Sequence, residues 1–255
     1  MNCVVIPTLK RTEMLALCLE SIDLSKQPKN LDVRIFLDVC DDERLEEVNF
    51  VRDTYFPQAE IFRLTERPEA PSGCYNILHS LREGFRTGAN FIHLIEEDVR
   101  ITPLYFQLHM EKHLEDDYFV TCGRWRRQYT RDYYTNPGSC FRRSSLAQIV
   151  PHINDSYFKD RRGYLDRFFH KMDEASDLDD GLIRRVIRAS GSRIYNFEEP
   201  TCAHQGFRFY GAKDEWRTTG NIEERIKQLR KLVNRRLDLE DPRYLNDFEH
   251  YDVQS

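Results

Sequence analysis

Three consecutive acids, Glu96, Glu97 and Asp98, end an apolar run that begins at Phe91. A short apolar run that follows a glycine-containing turn is typical of a buried strand, so the acids should lie where the strand ends and face a cleft. Hard divalent ions such as Mg²⁺ and Mn²⁺ prefer carboxylate oxygens and share the rest of their shell with water and phosphate. The run therefore indicates a metal and phosphate site, with a solvated acidic loop as the alternative.

Alternation along a strand separates the three acids. Asp98 is the predicted metal ligand and Glu96 its partner. Glu97 should point to the opposite side, where we expect it either to support the strand or to contact a bound donor.

The elements around this run alternate between short apolar runs and amphipathic helical patterns. Strands are predicted at 3–6, 33–37, 60–64, 91–95 and 194–197, and helices at 12–22 with Thr12 as the cap, 45–55 and 72–85. Strands joined by helices imply right-handed crossovers and a mostly parallel sheet, in which ligands bind at the carboxyl ends of the strands. Polar or charged residues follow each of the first four strands, as such a site requires.

Composition excludes several classes of protein. No apolar run is long enough to span a bilayer, and the first residues lack the basic region of a signal peptide. The seven cysteines are scattered without a Cys-x-x-Cys pair, which argues against a disulfide framework or a zinc knuckle. We expect a cytoplasmic protein (host cytoplasm if viral) without membrane contact. No glycine-rich phosphate loop is present, so a metal is the natural way to hold a diphosphate.

Three segments carry a resemblance to a known family: Ile6-Pro7-Thr8-Leu9-Lys10-Arg11 before a helix, Leu37-Asp38, and Leu94-Ile95-Glu96-Glu97-Asp98-Val99. They resemble nucleotide-sugar glycosyltransferases of the GT-A fold, family 2-like. The resemblance implies an α/β, Rossmann-like single domain with a mostly parallel sheet flanked by helices and a C-terminal helical extension. Its parts would be 1–205, with a nucleotide-binding half (1–100) and an acceptor-binding half (101–205), and 206–255, with a lid or acceptor loop, a helix and a tail.

Two later segments extend the resemblance. Asp179 and Asp180 precede a basic helix that ends near Gly191, and the resemblance implies Asp180 as the general base of an inverting transfer, with Asp179 beside it. An acidic pair also suits any helix N-terminus, so a purely structural role is the alternative. His204 is similar in position to a histidine that several GT-A families use as a metal ligand.

The implied donor-binding residues are Pro7, Thr8, Arg11, Asp38, Asp41, Glu97 and Arg126. The base-contacting acid stays open between Asp38 and Asp41, because the residues after the second strand depart from the family pattern. Arg126 or Arg127 would assist the departing diphosphate.

Arginines and aromatic residues alternate from 124 to 143, a composition that suits a phosphorylated donor or a nucleic acid, although ordinary ion pairs explain most such residues. His109 and His113 have helical spacing without a zinc motif, which predicts an exposed helix face. An amphipathic helix at 222–237 should pack on the core or form a homodimer with a second subunit.

These observations predict a glycosyltransferase that depends on Mn²⁺ or Mg²⁺ and takes its sugar from a nucleotide diphosphate donor, most simply a UDP-sugar. The acceptor would be a soluble glycan or metabolite, or a hydroxymethylated DNA base as in phage-type enzymes. A nucleotidyltransferase on a related fold and a non-catalytic module that binds nucleotide-sugars are the alternatives.

Overall fold

The computed structural model describes residues 1–66, 68, 71–123, 133–169, 176–205 and 219–236. The strands are β1 (Asn2–Thr8), β2 (Leu31–Leu37), β3 (Glu60–Arg63), β4 (Phe91–Leu94), β5 (Val99–Ile101), β6 (Tyr118–Cys122), β7 (Ser139–Arg142), β8 (Arg193–Asn196) and β9 (Cys202–His204). The α-helices are α1 (Thr12–Asp23), α2 (Asp42–Tyr55), α3 (Ser72–Arg86), α4 (Tyr105–Glu115), α5 (Arg143–Ile149), α6 (Asp155–Lys159), α7 (Arg161–Phe169), α8 (Asp179–Ser190) and α9 (Ile222–Arg236).

Seven strands form one sheet in the order β3-β2-β1-β4-β7-β6-β8, and β5 pairs with β9 in a separate ribbon. Strands β1 to β4 are parallel to one another, and β8 is parallel to β6. Among the described strands of this sheet, only β7 runs antiparallel to its neighbours. The predicted α/β architecture with a mostly parallel sheet is therefore confirmed.

Strand β1 shows why the sheet is covered on both faces. Every residue from Asn2 to Thr8 is buried. Cys3 and Val5 pack into a core with residues of α3 and α8, whereas Val4 and Ile6 pack into a second core with residues of α1 and α2. Near-continuous apolar character is what a parallel strand between two helical layers requires.

Helix α9 completes the second core. Ile226 and Leu229 are buried, and the helix packs against α1 of the same chain. Arg230 pairs with Glu20 at 2.8 Å across this contact. The helix thus packs on the core, one of the two predicted arrangements, and a homodimer stays a prediction. Among the described residues, no helix combines the length and apolar character that crossing a bilayer would need.

Two local expectations are wrong. Thr12 is the first residue of α1 and not its cap, since Arg11 occupies the cap position. His109 and His113 are fully buried. The ring nitrogens of His109 lie 2.7 Å from the Thr121 hydroxyl and 2.9 Å from the Thr201 hydroxyl. These hydroxyls take the place of the solvent that the sequence pattern predicted around this helix face.

The described members of the arginine-aromatic stretch are engaged within the chain. Arg142 pairs with Asp117 at 3.0 Å, and Arg143 stacks on Phe85 at 4.2 Å. Residues 124–132 lie outside the described residues. The expected nucleic-acid surface therefore gains no support from the part of this stretch that is described.

Candidate active site

A cleft of about 970 Å³ opens at the carboxyl ends of β1 and β4. Its walls come from the β1–α1 loop, the acids after β4, the start of α3, the loop 133–137, the start of α8, and His204. The lining residues are Pro7, Leu9, Lys10, Arg11, Pro71, Gly73, Cys74, Ile77, Glu96, Glu97, Asp98, Tyr133, Tyr134, Thr135, Asn136, Pro137, Leu178, Asp179, Asp180, Arg184 and His204. Its place at the strand ends agrees with the ligand rule for open α/β sheets.

Glu96, Asp98 and His204 converge on one side of this cleft. Each offers a ligand atom, and these atoms all lie within 4.8 Å of one another. Asp98 Oδ1 is buried without a hydrogen-bond partner, although His204 Nε2 is 3.2 Å away. Two carboxylates, one of which has an unsatisfied buried oxygen, and an imidazole form a donor set that suits Mn²⁺ or Mg²⁺.

Pairing of β5 with β9 brings His204 to the acids. Val99 is opposite His204 in this antiparallel ribbon, and the Gln205 backbone N–H donates to the Asp98 carbonyl at 2.7 Å. Gly138 allows the neighbouring loop to approach, because it has φ +64° and a Cβ there would collide with Cys202 Sγ. The ribbon thus fixes a histidine beside Asp98 through the backbone.

Glu97 holds the β1–α1 loop. Its carboxylate accepts the backbone N–H groups of Leu9, Lys10 and Arg11 at 2.8, 3.3 and 3.4 Å. Burial and the charge of Asp98 raise the pKa of Glu97 to about 7, against the opposing effect of the amides. These contacts are those of a residue that supports the site, which was one of the two roles expected for Glu97.

Arg11 and His204 both lie beside the carboxylate of Asp98. Arg11 Nη1 lies 2.5 Å from Asp98 Oδ2, whereas His204 Nε2 approaches Oδ1. Burial alone would raise the pKa of Asp98, but the charges of His204 and Arg11 outweigh it and lower the pKa. Asp98 is therefore held as a carboxylate, the form that a metal requires.

Asp179 lies at the N-terminus of α8 and is buried. Burial and the adjacent Asp180 raise the pKa of Asp179 to about 6, while the Asn136 amide, which donates to Asp179 Oδ2, lowers it. A carboxylate whose pKa lies near neutrality can accept a proton from a hydroxyl more readily than an ordinary one.

Both carboxylate oxygens of Asp180 already contact neighbouring groups. Its Oδ1 accepts the Ser176 hydroxyl at 2.6 Å and the Gly181 N–H at 2.8 Å, and its Oδ2 pairs with Arg184 at 2.7 Å. Gly181 is needed here because a Cβ would collide with the Ser176 carbonyl. Both acids line the cleft, but only Asp180 is saturated in this way by helix and loop groups.

The other predicted donor residues differ in position. Pro7 lines the cleft, whereas Thr8 is buried and donates its hydroxyl to the Ile6 carbonyl at 3.3 Å. Asp38 is buried at the end of β2, and its Oδ1 accepts the Val39 N–H at 2.9 Å.

Asp41 is exposed and caps α2 by accepting the Arg44 N–H at 2.9 Å. Neither Asp41 nor Asp38 is among the residues that line the cleft. Arg126 and Arg127 lie outside the described residues.

Sequence reasoning assigned no role to Asn136 or Arg184, and it included Tyr133 only as part of the stretch 124–143. Arg184 Cζ lies 4.0 Å from the centre of the Tyr133 ring, and this stack forms a wall of the cleft beside Asp180. An Asp-x-x-x-Arg spacing within one helix could have predicted the Asp180–Arg184 pair. No local pattern predicts Asn136, because its contact with Asp179 joins segments 43 residues apart.

The sequence matches no protein-family model and no curated protein. Solved structures do resemble it. The mannosyltransferase PcManGT from Pyrobaculum calidifontis, in complex with GDP-Man and Mn²⁺, is similar with a TM-score of 0.55 at 15% identity over 99% of this chain and 70% of its own. TarS 1-349 from S. aureus, in complex with UDP, is similar with a TM-score of 0.53 at 13% identity over 92% of this chain and 71% of its own.

The chain has the GT-A fold. Identities this low establish the fold alone, and the resemblance predicted from the three sequence segments is confirmed at that level. In this GT-A chain, the acids after β4 and the acids at the start of α8 line the same cleft.

Proposed function

We propose that this protein is a metal-dependent glycosyltransferase, which moves a sugar from a nucleoside diphosphate donor to an acceptor hydroxyl. The observation that carries the proposal is the convergence of Glu96, Asp98 and His204 in the cleft that also holds Asp179. The GT-A fold supports it, as do the GDP-Man and Mn²⁺ bound by PcManGT and the UDP bound by TarS.

Glu96, Asp98 and His204 would hold the divalent ion. Once bound there, Mn²⁺ or Mg²⁺ supplies positive charge that stabilises the departing diphosphate. Glu97 keeps the β1–α1 loop in place through three backbone N–H groups, so the loop and the acids form one unit. Pro7 and Arg11 line the adjoining wall, where the donor would lie.

Asp179 would take the proton of the acceptor hydroxyl as that hydroxyl attacks the anomeric carbon. This assignment differs from the expectation of Asp180 and follows from partners, because Asp180 already accepts from Ser176, Gly181 and Arg184. Asp180 would then position the start of α8. One carboxylate base suffices for inversion, so an inverted product is expected.

The acceptor is proposed by class only. A soluble glycan or metabolite fits a mixed polar and aromatic wall formed by Tyr133, Asn136 and Arg184. A hydroxymethylated DNA base would have to leave its duplex to enter the cleft. Transfer to hydroxymethylated oligonucleotides that weakens steeply with salt would favour the second acceptor.

The experiment is incubation with UDP-, GDP- and dTDP-sugars, with and without Mn²⁺, followed by donor hydrolysis and thermal stability. At least one donor should be hydrolysed, and should raise the melting temperature, only when Mn²⁺ is present and Asp98 is intact. Absence of both responses for every donor would contradict the proposal. Pyrophosphate release from free nucleoside triphosphates would indicate a nucleotidyltransferase, and binding of a donor without turnover on any acceptor would indicate a binding module.

A further inference from the structure

The guanidinium of Arg11 lies on the carboxylate that the proposed ion would use. Arg11 Nη1 is 2.5 Å from Asp98 Oδ2, and the side chains are only 17% and 7% exposed. His204 approaches the other oxygen of Asp98 at 3.2 Å. Arg11 and His204 therefore approach different oxygens of Asp98.

The backbone of Arg11 is fixed while its side chain is long. The N–H groups of Leu9, Lys10 and Arg11 all lie within hydrogen-bonding distance of Glu97, which ties this part of the loop to the acids after β4. The Arg11 side chain extends from that anchored point along the wall of the cleft. Rotation about its side-chain bonds can carry the guanidinium from Asp98 to another anion without moving the loop.

A guanidinium and a divalent cation compete for Asp98. Both need its negative charge, and two cations held on one carboxylate in a buried cleft repel each other strongly. Arginine forms its best hydrogen bonds with carboxylates and with phosphates. When the ion binds the carboxylate of Asp98, a diphosphate in the cleft gives Arg11 a phosphate as its new partner.

We propose that Arg11 and the divalent ion exchange places on Asp98. In the ion-free protein Arg11 neutralises Asp98; when the ion binds Glu96, Asp98 and His204, Arg11 moves to the diphosphate of the donor. The exchange rests on the proposed function, from which it takes the ion and the donor. It makes Arg11 a donor-binding residue that is released by metal binding, and it couples the two binding events.

The test is Mn²⁺ binding in the absence of nucleotide, measured from the EPR signal of free Mn²⁺. Arg11→Met removes the competing charge, so it should bind Mn²⁺ about tenfold more tightly than the wild type. The same variant should bind UDP about tenfold more weakly at saturating Mn²⁺, because the diphosphate loses a cationic partner. Arg11→Lys keeps a competing charge and should bind Mn²⁺ much as the wild type does.

Lys10→Met is the matched control, since it removes a charge of the same sign from the adjacent position of the same loop. If the exchange at Asp98 is right, Lys10→Met changes Mn²⁺ affinity far less than Arg11→Met. An equal gain in Mn²⁺ affinity in both variants would show that any loss of positive charge near the site has this effect. That result would overturn the exchange.

Failure of the exchange is distinguishable from failure of the proposed function. If Arg11→Met binds Mn²⁺ no more tightly than the wild type, the exchange is wrong while the metal site stands. If neither protein binds Mn²⁺, with or without UDP, the metal site of the proposed function is wrong, and the exchange with it.

A crystal structure of the wild type with Mn²⁺ and UDP decides the matter even if Arg11→Met does not fold. The exchange requires the Arg11 guanidinium to move beyond about 4 Å from Asp98, the usual limit of an ion pair, and to contact a phosphate. An Arg11 that stays on Asp98 beside the bound ion would overturn it.

Discussion

The run Glu96–Asp98 and the pair Asp179–Asp180 are both groups of adjacent acids on one cleft, but their partners differ. Asp98 has Arg11 and His204 beside it, and the pKa of Asp98 is lowered. Asp179 has another acid beside it and accepts the Asn136 amide, and burial raises its pKa to about 6. Neighbouring charge thus prepares one acid to bind a cation and the other to accept a proton.

Each group also contains an acid that holds the backbone. Glu97 accepts three N–H groups of the β1–α1 loop, and Asp180 accepts the Gly181 N–H together with the Ser176 hydroxyl. The role of each carboxylate therefore follows from the groups already bound to it. Substitution of these acids one at a time tests that division of roles.

The largest effect should come from Asp98→Asn. Loss of this charge removes the central ligand of the proposed metal site, so Mn²⁺-dependent transfer should fall by about a thousandfold or more. Glu97→Gln is the matched control from the same run: it keeps an oxygen for the loop amides, so its Mn²⁺ affinity should remain close to that of the wild type. Calorimetric titration with Mn²⁺ compares the two, and equal losses of affinity would erase the distinction between them.

Asp179→Asn and Asp180→Asn compare the second group. Removal of a general base costs about 10²- to 10⁴-fold in rate, so kcat of Asp179→Asn should fall within this range while donor affinity changes little. Asp180→Asn keeps an oxygen for Ser176 and Gly181 and should cost roughly tenfold through loosened positioning. Single-turnover kinetics at saturating donor measures both rates. A larger loss of rate in Asp180→Asn than in Asp179→Asn would identify Asp180 as the general base.

Much of the fold could be predicted from the sequence because it rests on local periodicity. The apolar runs of β1, β2 and β4 and the amphipathic patterns of α1, α3 and α9 lie within a few residues of the predicted bounds. Glu96 and Asp98 could be predicted to lie at the cleft because they directly follow such a run, and their role as metal ligands stays a prediction.

The rest depends on contacts between distant segments. The β5–β9 ribbon has three residues on each side, too few for a periodic signal, yet it fixes His204 beside Asp98. The Arg11–Asp98 pair joins residues 87 apart in sequence. Asp179 and Asp180 are equivalent as a pattern at a helix start, and the Asn136 amide distinguishes them only after folding.

The buried histidines show the same limit. His109 and His113 have a spacing that fits an exposed helix face, but α4 packs that face against β6 and the loop around Thr201. Burial lowers the pKa of His113 to about 4 and that of His109 well below its ordinary value. No sequence pattern reveals the hydroxyl partners that make these neutral rings acceptable in a core.

A smaller effect concerns the pH dependence of kcat. Asp179 acts as a base only when ionised. Activity should therefore be lost as pH falls through about 6, the pKa of Asp179 in the folded protein. The Asn136 amide favours the ionised form, and Asn136→Ala should therefore raise this pKa and move the acidic limb to higher pH. The pH profile of kcat measures the shift. A limb that stays in place while kcat falls would make Asn136 a structural residue only.

The smallest effect should come from the two acids that follow β2, where the same division of roles applies. Asp41 already accepts the Arg44 N–H as the cap of α2, so Asp41→Ala should lower the free energy of unfolding by about 1 kcal/mol and leave UDP affinity unchanged. Asp38 is buried at the end of β2, where its Oδ1 accepts the Val39 N–H at 2.9 Å. If Asp38 is the base-contacting acid that the sequence resemblance implies, Asp38→Asn should instead weaken UDP binding. Urea unfolding and calorimetric titration with UDP separate the two quantities. If Asp41→Ala weakens UDP binding more than Asp38→Asn does, Asp41 is the base-contacting acid, and a helix cap and a donor ligand are then combined in one carboxylate.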